Sequence, residues 1–378
     1  MSKERIGENM NTEKLNTLAN TIINYSLHLK ENDRVQVNFT EEATPLVEEI
    51  IKEAQKVKAV IVLNLYNPCL NARIAEGYTD ASLEHLKKIK QFDVENYDAF
   101  IQIRSSINDY ESKNVSKEMT KKFGLMTNEL NDIRINEREW VLLNYPTNLD
   151  AYKAKMTTAD FNEFALNVMT VDYRKMSNDI KPLKDLMEKT DKVRIVSPGT
   201  DITFSIKGMP AIPCTGEKNI PDGEIYSAPI KDSVNGTITY NTPSPYQGNV
   251  YNHVSLTFEN GKIINATCDE DNDKLNEIFD TDEGARYVGE FALGFNPKVL
   301  YPMGDILYDE KILGSLHFTP GKCYADCNNG NKSAIHWDMV LIQREDFGGG
   351  EIYFDDVLIR KDGKFVLEEL KVLNYEDQ

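Results

Sequence analysis

The 378-residue sequence predicts an α+β protein with two domains. The first, over residues 1–190, is an α/β domain with a mostly parallel sheet and flanking helices. The second, over residues 191–378, is predominantly antiparallel β. Three observations support this division: the length suits two domains of roughly 150 residues or more, strand and helix patterns alternate in the first half, and short strands separated by turn dipeptides fill the second.

The first half alternates helix-like and strand-like segments. Apolar residues at helical spacing predict a helix over residues 12–29, and alternating apolar residues predict a strand over residues 34–39. Thr44 and Pro45 are typical of a helix start, as N-cap and first helical residue. The β-branched run over residues 58–65 predicts a strand covered on both faces. The patterns then repeat, with helices predicted at 82–89, 116–123 and 158–189 and strands at 99–103 and 140–145.

The second half carries hairpin patterns. Asn-Gly or Asp-Gly pairs occur at 235–236, 260–261 and 362–363, and such pairs favour the tight turns in which both central residues need positive φ. A single helix is predicted at 273–279, and the β domain begins near Lys192. Three glycines at 348–350 precede a strand rather than a helix, so they indicate a turn and not a phosphate-binding loop.

Charge and composition exclude several classes of function. The chain has 43 Lys and Arg against 61 Asp and Glu, which gives a net charge of −18. That charge disfavours nucleic acids and anionic membrane surfaces, both of which bind through Lys and Arg. No apolar run approaches the ~20 residues needed to cross a bilayer, and the first residues lack the apolar segment of a secretory signal. Five cysteines, odd in number and sparse, fit reduced thiols, and we expect a cytoplasmic protein.

Two of the five histidines lie in distinctive segments of the second half. If residues 334–340 form a strand, His336 and Asp338 project from one face while apolar neighbours anchor the other. An imidazole beside a carboxylate is a platform for a divalent metal, although a simple His–Asp hydrogen bond would satisfy the same pair. His317 lies between Gly314 and Gly321, where it is either a second metal ligand or a histidine of the core.

Two glutamates lie in apolar, glycine-containing segments. Glu224 follows a Pro-Asp-Gly turn, and Glu290 lies in GEFALG. Burial of a carboxylate is costly unless it is paired or bound to a cation. Together with the histidines and Asp338, these carboxylates suit a pair of divalent ions such as Zn, Co or Mn. A rival interpretation is a structural zinc site made of His317, Cys323, Cys327 and His336, but it leaves the three carboxylates unexplained.

Four motifs in order, NIPDGEIYSAP (219–229), GEFALG (289–294), GSLHFTPG (314–321) with Tyr324 downstream, and HWDMV (336–340), resemble peptidase family M29, which includes enzymes of the aminopeptidase T and AmpS type. The strand that begins at Trp140 is similar as well, so the resemblance extends over nearly the whole chain. After His317 the chain departs from the family pattern, with Phe318-Thr319-Pro320 where a small residue, Leu and Gly are more usual. This change leaves substrate preference more open than metal binding.

The resemblance implies a metallo-aminopeptidase of the EC 3.4.11 class that removes residues from free peptide N-termini. Its two divalent ions (Zn, Co, Mn or Mg) would be held by Glu224, Glu290, His317, His336 and Asp338, with Tyr324 as a catalytic side chain and Glu290 as the acid/base. Glu310 is a further possible ligand. A homodimer is implied, with the first domain serving dimerisation and gating. The alternatives are a two-metal amidohydrolase acting on a non-peptide amide and a non-catalytic peptide- or metal-binding protein of the same fold.

Overall fold

The computed structural model describes residues 2–375. The chain forms two compact units, one made of the residues up to Thr170 together with Gly216–Ile220, and the other made of Val171–Thr215 together with the residues from Pro221 onward. The first unit ends at Thr170, whereas the predicted boundary is at residue 190. The two helices that follow, Tyr173–Asp179 and Lys181–Met187, contact the 3₁₀ turn Glu368–Leu373 of the second unit and therefore belong to that unit. The division of roles between domains 1–190 and 191–378 stays a prediction.

The first half of the chain contains α1 (Ser2–Thr21), β1 (Arg34–Phe39), α2 (Thr44–Val57), β2 (Val60–Leu65), α3 (Pro68–Glu76), α4 (Asp80–Asn96), β3 (Ala99–Arg104), α5 (Lys117–Glu137), β4 (Glu139–Asn144), α6 (Asn148–Lys153) and α7 (Thr158–Met169). A π-helical turn over Ile22–Ser26 continues α1. Thr44 is the first helical residue of α2 rather than its N-cap, which is Ala43. Most predicted helices and strands of this half are present, and the helix predicted at 158–189 is interrupted near Thr170 and again before Pro182.

The second half continues with α8 (Tyr173–Asp179), α9 (Lys181–Met187), β5 (Lys192–Ser197), β6 (Thr200–Ser205), β7 (Ile212–Cys214), β8 (Asn219–Ile220), β9 (Glu224–Ser227), β10 (Asn235–Thr239), β11 (Ser244–Tyr246), β12 (Asn249–Tyr251), β13 (Ser255–Glu259), β14 (Lys262–Thr267), α10 (Asn272–Phe279), β15 (Val288–Gly294), α11 (Ile306–Asp309), β16 (Ser315–Pro320), β17 (Val340–Ile342), β18 (Glu351–Phe354), β19 (Val357–Lys361) and β20 (Lys364–Phe365).

The first unit is built on a parallel sheet of order β2-β1-β3-β4-β8. One face of its central strands is apolar and buried, with Val35 and Val37 of β1 paired with Ala99 and Ile101 of β3. On the opposite face, polar side chains lie near the carboxyl ends of the strands, among them Asn38 of β1 and Gln102 of β3. The fold class predicted for this half, a mostly parallel sheet with flanking helices, is confirmed.

Strand β2 differs from its prediction. The β-branched run was expected to be covered on both faces, yet Val60, Leu63 and Leu65 are 47%, 47% and 60% exposed. The sheet order explains this, because β2 is an edge strand that pairs with β1 alone.

The second unit is mainly antiparallel, as predicted. An eight-stranded sheet has the order β14-β13-β10-β6-β5-β18-β19-β20, a five-stranded sheet has the order β17-β16-β15-β9-β7, and β11 pairs with β12. Phe204, Phe291 and Phe318 pack together in the buried core, with ring centroids 5.0 to 6.4 Å apart. This core holds the strands of the five-stranded sheet in place.

Two of the three predicted hairpin turns are confirmed. Asn260-Gly261 joins β13 to β14 and Asp362-Gly363 joins β19 to β20, and all four residues have positive φ. The turn predicted at Asn235-Gly236 is wrong, because both residues lie within β10. Gly236 is needed there for close packing, since a Cβ atom would lie 2.2 Å from the carbonyl oxygen of Asp201. Among the described residues, no helix combines the length and the apolar character needed to cross a membrane.

Candidate metal centre

Three neighbouring strands of the five-stranded sheet bring Glu224, Glu290 and His317 together. Glu224 is the first residue of β9, Glu290 lies in β15 and His317 lies in β16. Since β15 pairs with both β9 and β16, the three side chains meet across adjacent strands. The His317 Nε2 atom lies 3.1 Å from Glu290 Oε1 and 3.5 Å from Glu224 Oε2.

His336 and Asp338 complete the cluster. They precede β17 in an irregular segment rather than a regular strand, although His336 forms an isolated antiparallel bridge with Gly321. The predicted alternation nevertheless holds, because Ile335, Trp337 and Met339 are buried. His336 Nε2 lies 3.2 Å from Asp338 Oδ1 and 3.3 Å from Glu290 Oε2, so Glu290 adjoins both histidines.

Three of the five residues of the cluster are buried, and several of its ligand atoms lack hydrogen bonds. Glu224, Glu290 and His317 are 5%, 3% and 1% exposed. Among the described residues, Glu224 Oε2, His317 Nδ1 and His336 Nε2 have no correctly aligned hydrogen-bond partner. Buried polar atoms are normally hydrogen-bonded, so these atoms require another partner. A bound cation, towards which each atom would direct a lone pair, is such a partner.

The donors form overlapping groups of metal-ligand type. Glu224, Glu290 and His317 form one group and Glu290, His336 and Asp338 form a second, and the ligand atoms within each group lie within 4.8 Å of one another. Glu310, His317 and Asp338 form a third. Mixed carboxylate and imidazole donors with shared members fit divalent metal ions, so the residues present suit the metals that the sequence predicted.

Lys311 is a component of this centre that the sequence reasoning missed. Its side chain is fully buried, and its Nζ atom contacts Glu224 Oε1 at 2.5 Å and Glu310 Oε1 at 2.6 Å, with Asp222 Oδ1 at 3.6 Å. One oxygen of Glu224 therefore binds the ammonium group, while the other faces His317. The available signal was the Asp309-Glu310-Lys311 triplet that follows the buried α11 residues Leu307 and Tyr308, because charged side chains that adjoin a buried segment are rarely left unpaired.

The electrostatics of the cluster favour positive charge. Burial alone would lower the pKa of His317, but Glu224 and Glu290 raise it to about 9. Burial, partly offset by Lys311, raises the pKa of Glu310. Although burial opposes it, His336 lowers the pKa of Asp338. The excess of carboxylates that holds a proton on His317 would equally attract divalent cations.

Tyr324 lies at the border of the cluster. Its ring centroid is 4.9 Å from that of His336 and 5.5 Å from that of Tyr226, whose hydroxyl donates to Asp326. Desolvation and the negative charge of Glu290 raise the pKa of Tyr324, which keeps its hydroxyl protonated as a hydrogen-bond donor. The side chain is 45% exposed and so can meet a ligand from solvent.

The rival zinc site with two cysteines does not form. The Cys323 thiol donates to Asn328 Oδ1 and to the Asn331 carbonyl, and the Cys327 thiol donates to the Pro210 carbonyl. Neither sulfur belongs to a metal-ligand group among the described residues. The three carboxylates that this interpretation left unexplained instead belong, with the two histidines, to the ligand groups described above.

Comparisons with known proteins find relatives over nearly the whole chain. The family model of thermophilic metalloproteases (M29) matches residues 11–365. Aminopeptidase 2 of Geobacillus stearothermophilus is 23% identical over 93% of this chain and 95% of its own length. Aminopeptidase AmpS of Bacillus subtilis is 24% identical over 87% of this chain and 89% of its own length. The solved structure of wild-type AmpT from Thermus thermophilus aligns with a TM-score of 0.78 at 17% identity, covering 94% of this chain and 99% of AmpT.

Proposed function

The chain belongs to the thermophilic metalloprotease family M29, and on this basis we propose that it is an aminopeptidase that acts on free peptide N-termini with two divalent metal ions. The observation that carries the proposal is the convergence of two ligand groups that share the buried Glu290. The names of the relatives, all aminopeptidases, support the substrate class. The homodimer and the cytoplasmic location expected from the sequence stay predictions.

Each residue of the centre has a role in this proposal. Glu224, Glu290 and His317 would hold one ion, and Glu290, His336 and Asp338 the other, with Glu310 as an additional ligand. Bound divalent ions would polarise the scissile carbonyl and lower the pKa of the attacking water. Glu290, through a carboxylate oxygen that is not bound to an ion, would receive a proton from that water and deliver it to the leaving amine. The Tyr324 hydroxyl would donate a hydrogen bond to the developing oxyanion.

The primary test is metal analysis of the purified protein combined with hydrolysis of leucyl-anilide. We expect two equivalents of divalent metal, activity that disappears with a chelator, and recovery when zinc or cobalt is added back. An N-acetylated leucyl-anilide serves as control, because an aminopeptidase requires the free amine. Hydrolysis of the acetylated compound would favour an amidohydrolase, and protein without metal would contradict the ligand assignment.

Substitution of the shared ligand gives a sharper test. Glu290→Gln keeps the size of the side chain but removes its charge, so we expect lower metal content and a loss of turnover of at least about 10²-fold. Glu259→Gln, at an exposed position of β13, is the matched control. Wild-type turnover by metal-loaded Glu290→Gln would reject both roles of this residue.

A further inference from the structure

The first unit contains a crevice that the proposed peptidase reaction does not use. A cavity of about 540 Å³ lies on the polar face of the parallel sheet, bounded by β1 to β4 and by residues of α3, α4 and α5. Its volume falls in the range of small-molecule sites. We call this cavity the sheet crevice, and the residues that matter for the argument are Asn38, Asn64, Asp93, Gln102, Arg104 and Arg134.

Amide side chains line the floor of the sheet crevice in a row. The strand register aligns Asn64 of β2 with Asn38 of β1 and Asn38 with Gln102 of β3. The Asn64 Nδ2 atom donates to Asn38 Oδ1 at 2.7 Å, and Asn38 Nδ2 donates to Gln36 Oε1 at 3.2 Å. Parallel strands under helices normally present apolar side chains. A row of amides here leaves donors and acceptors that a polar ligand can match.

The charged side chains of the sheet crevice are mostly basic. Arg104, Arg134 and Lys90 line it with Asp93, a local excess of two positive charges in a chain of net charge −18. The Arg134 Nε atom is buried, and among the described residues it has no hydrogen-bond partner. Burial, followed by the nearby charge of Arg104, lowers the pKa of Arg134. Two guanidinium groups that line one cavity, with the charge of one acting on the other, favour binding of an anion there.

The topology places one end of the sheet crevice where open α/β sheets bind ligands. In the strand order β2-β1-β3-β4-β8, β2 lies on one side of β1 and β3 lies on the other. The direction in which the chain adds strands to the sheet therefore reverses between β1 and β3. Ligands of such sheets bind beyond the carboxyl ends of the strands at this reversal. Asn38 and Gln102 lie near the carboxyl ends of β1 and β3, and Arg104 is the last residue of β3.

The turn after β1 argues against a nucleotide. Phosphate-binding sheets of this kind use a glycine-rich turn that leads into a helix N-terminus. Here the turn contains Glu41 and Glu42 and no glycine before α2 begins at Thr44. These carboxylates would repel a phosphate bound at that turn, whereas the two arginines of the crevice lie on β3 and α5.

We propose that the sheet crevice binds a small molecule with a carboxylate group and a polar body, such as a short peptide or an amino acid derivative. Arg104 and Arg134 bind the carboxylate, and the amide row of Asn38, Asn64 and Gln102 matches the amide groups of the ligand. Paired guanidinium groups suit the two oxygens of a carboxylate, and side-chain amides both donate and accept. This inference does not depend on the metal centre.

Isothermal titration calorimetry with N-acetyl-Ala-Ala tests the proposal, because the blocked amine prevents turnover by an aminopeptidase. We expect one equivalent to bind the wild-type protein, and N-acetyl-Ala-Ala-amide, which lacks the carboxylate, to bind at least tenfold more weakly. Arg134→Gln and Arg104→Gln should each weaken binding at least tenfold. Arg73→Gln, at an exposed position of α3, and Glu290→Gln should both bind like the wild type.

Four results would overturn the proposal. The first three are equal affinity for the acid and the amide, undiminished binding by Arg104→Gln and Arg134→Gln, and a preference for inorganic phosphate over the peptide acid. The fourth is a loss of binding in Glu290→Gln alone, which would place the peptide at the metal centre instead. Leucyl-anilide hydrolysis by Arg134→Gln should equal that of the wild type, so the outcome for the crevice is separate from the outcome for the peptidase. Because Arg104 is exposed, its variant should fold even if Arg134→Gln does not.

Discussion

Tyr324 offers a direct residue-scale test of the oxyanion role. Tyr324→Phe keeps the ring beside His336 and removes only the hydroxyl. We expect metal content to be retained and kcat to fall by about 10²-fold or more, as when one oxyanion donor is removed. The measurement is kcat on leucyl-anilide with metal analysis of the same sample. Tyr110→Phe, a tyrosine that is 68% exposed, should leave kcat unchanged.

Lys311 should matter most when the metals are absent. Its ammonium group neutralises Glu224 and Glu310 inside the protein, and removal of one partner from a buried ion pair typically costs about 3–5 kcal/mol. Lys311→Met should therefore lower the free energy of unfolding of the chelated protein by about this amount.

Divalent ions can supply part of the missing positive charge at Lys311, so the loss should be smaller in the metal-loaded variant. Urea unfolding with and without metal measures the difference. Lys262→Met, at an exposed position of β14, is the control. Equal destabilisation in both states would show that Lys311 does not compensate the ligand carboxylates.

At the scale of the elements, the end of β16 depends on a glycine. Gly321 has a φ of +109°, and a Cβ atom there would lie 2.2 Å from the carbonyl oxygen of Ile335. Because Gly321 bridges His336, Gly321→Ala should displace that histidine, weaken metal binding and destabilise the fold by about 1–3 kcal/mol or more.

A substitution at Gly330 distinguishes the two causes of that destabilisation, which are backbone strain and the steric clash. It also has a positive φ, of +84°, but no atom lies within 4 Å of its added Cβ. Gly330→Ala therefore tests backbone strain without the clash, and it should retain wild-type metal affinity. Metal titrations and thermal melts of both variants provide the comparison, and equal metal affinity in the two would contradict the role of Gly321.

Local sequence patterns singled out the segments of the site better than their surroundings. GEFALG and GSLHFTPG, glycine-containing segments that each carry one candidate ligand, form strands β15 and β16. The contacts of Lys311 could not be predicted, since it meets Glu224 across 87 residues of chain. The exposure of β2 was missed for a related reason, because its sequence resembles that of a central strand and only the sheet order reveals an edge.

At the scale of the whole molecule, the excess of acidic residues makes the free energy of unfolding at low pH a useful quantity to measure. The Arg34 guanidinium donates to Asp98 and lowers the pKa of that carboxyl to about 2. Since this pKa is lower in the folded state, the pair contributes stability above the ordinary pKa of Asp, and this contribution is lost as the pH falls from about 4 to about 2. Asp98→Asn should therefore lower stability at pH 7 and show a weaker pH dependence in that range.

Thermal melts between pH 2 and pH 7 measure this effect, which should be small because both side chains are about half exposed. Asp356→Asn, at an exposed partner of Lys192, is the control. A pH dependence of Asp98→Asn that is identical to that of the wild type would contradict the role of the pair.

The placement of the ligands on β9, β15 and β16 has a consequence for how the molecule folds. The ligands are spread along the chain from Glu224 to Asp338, and they converge only after strands distant in sequence have paired. Loop-closure entropy makes such pairings late and slow. Ions held by these residues would therefore not nucleate the fold. They would bind a chain that has already reached its native topology, and they would prolong its lifetime by slowing its unfolding.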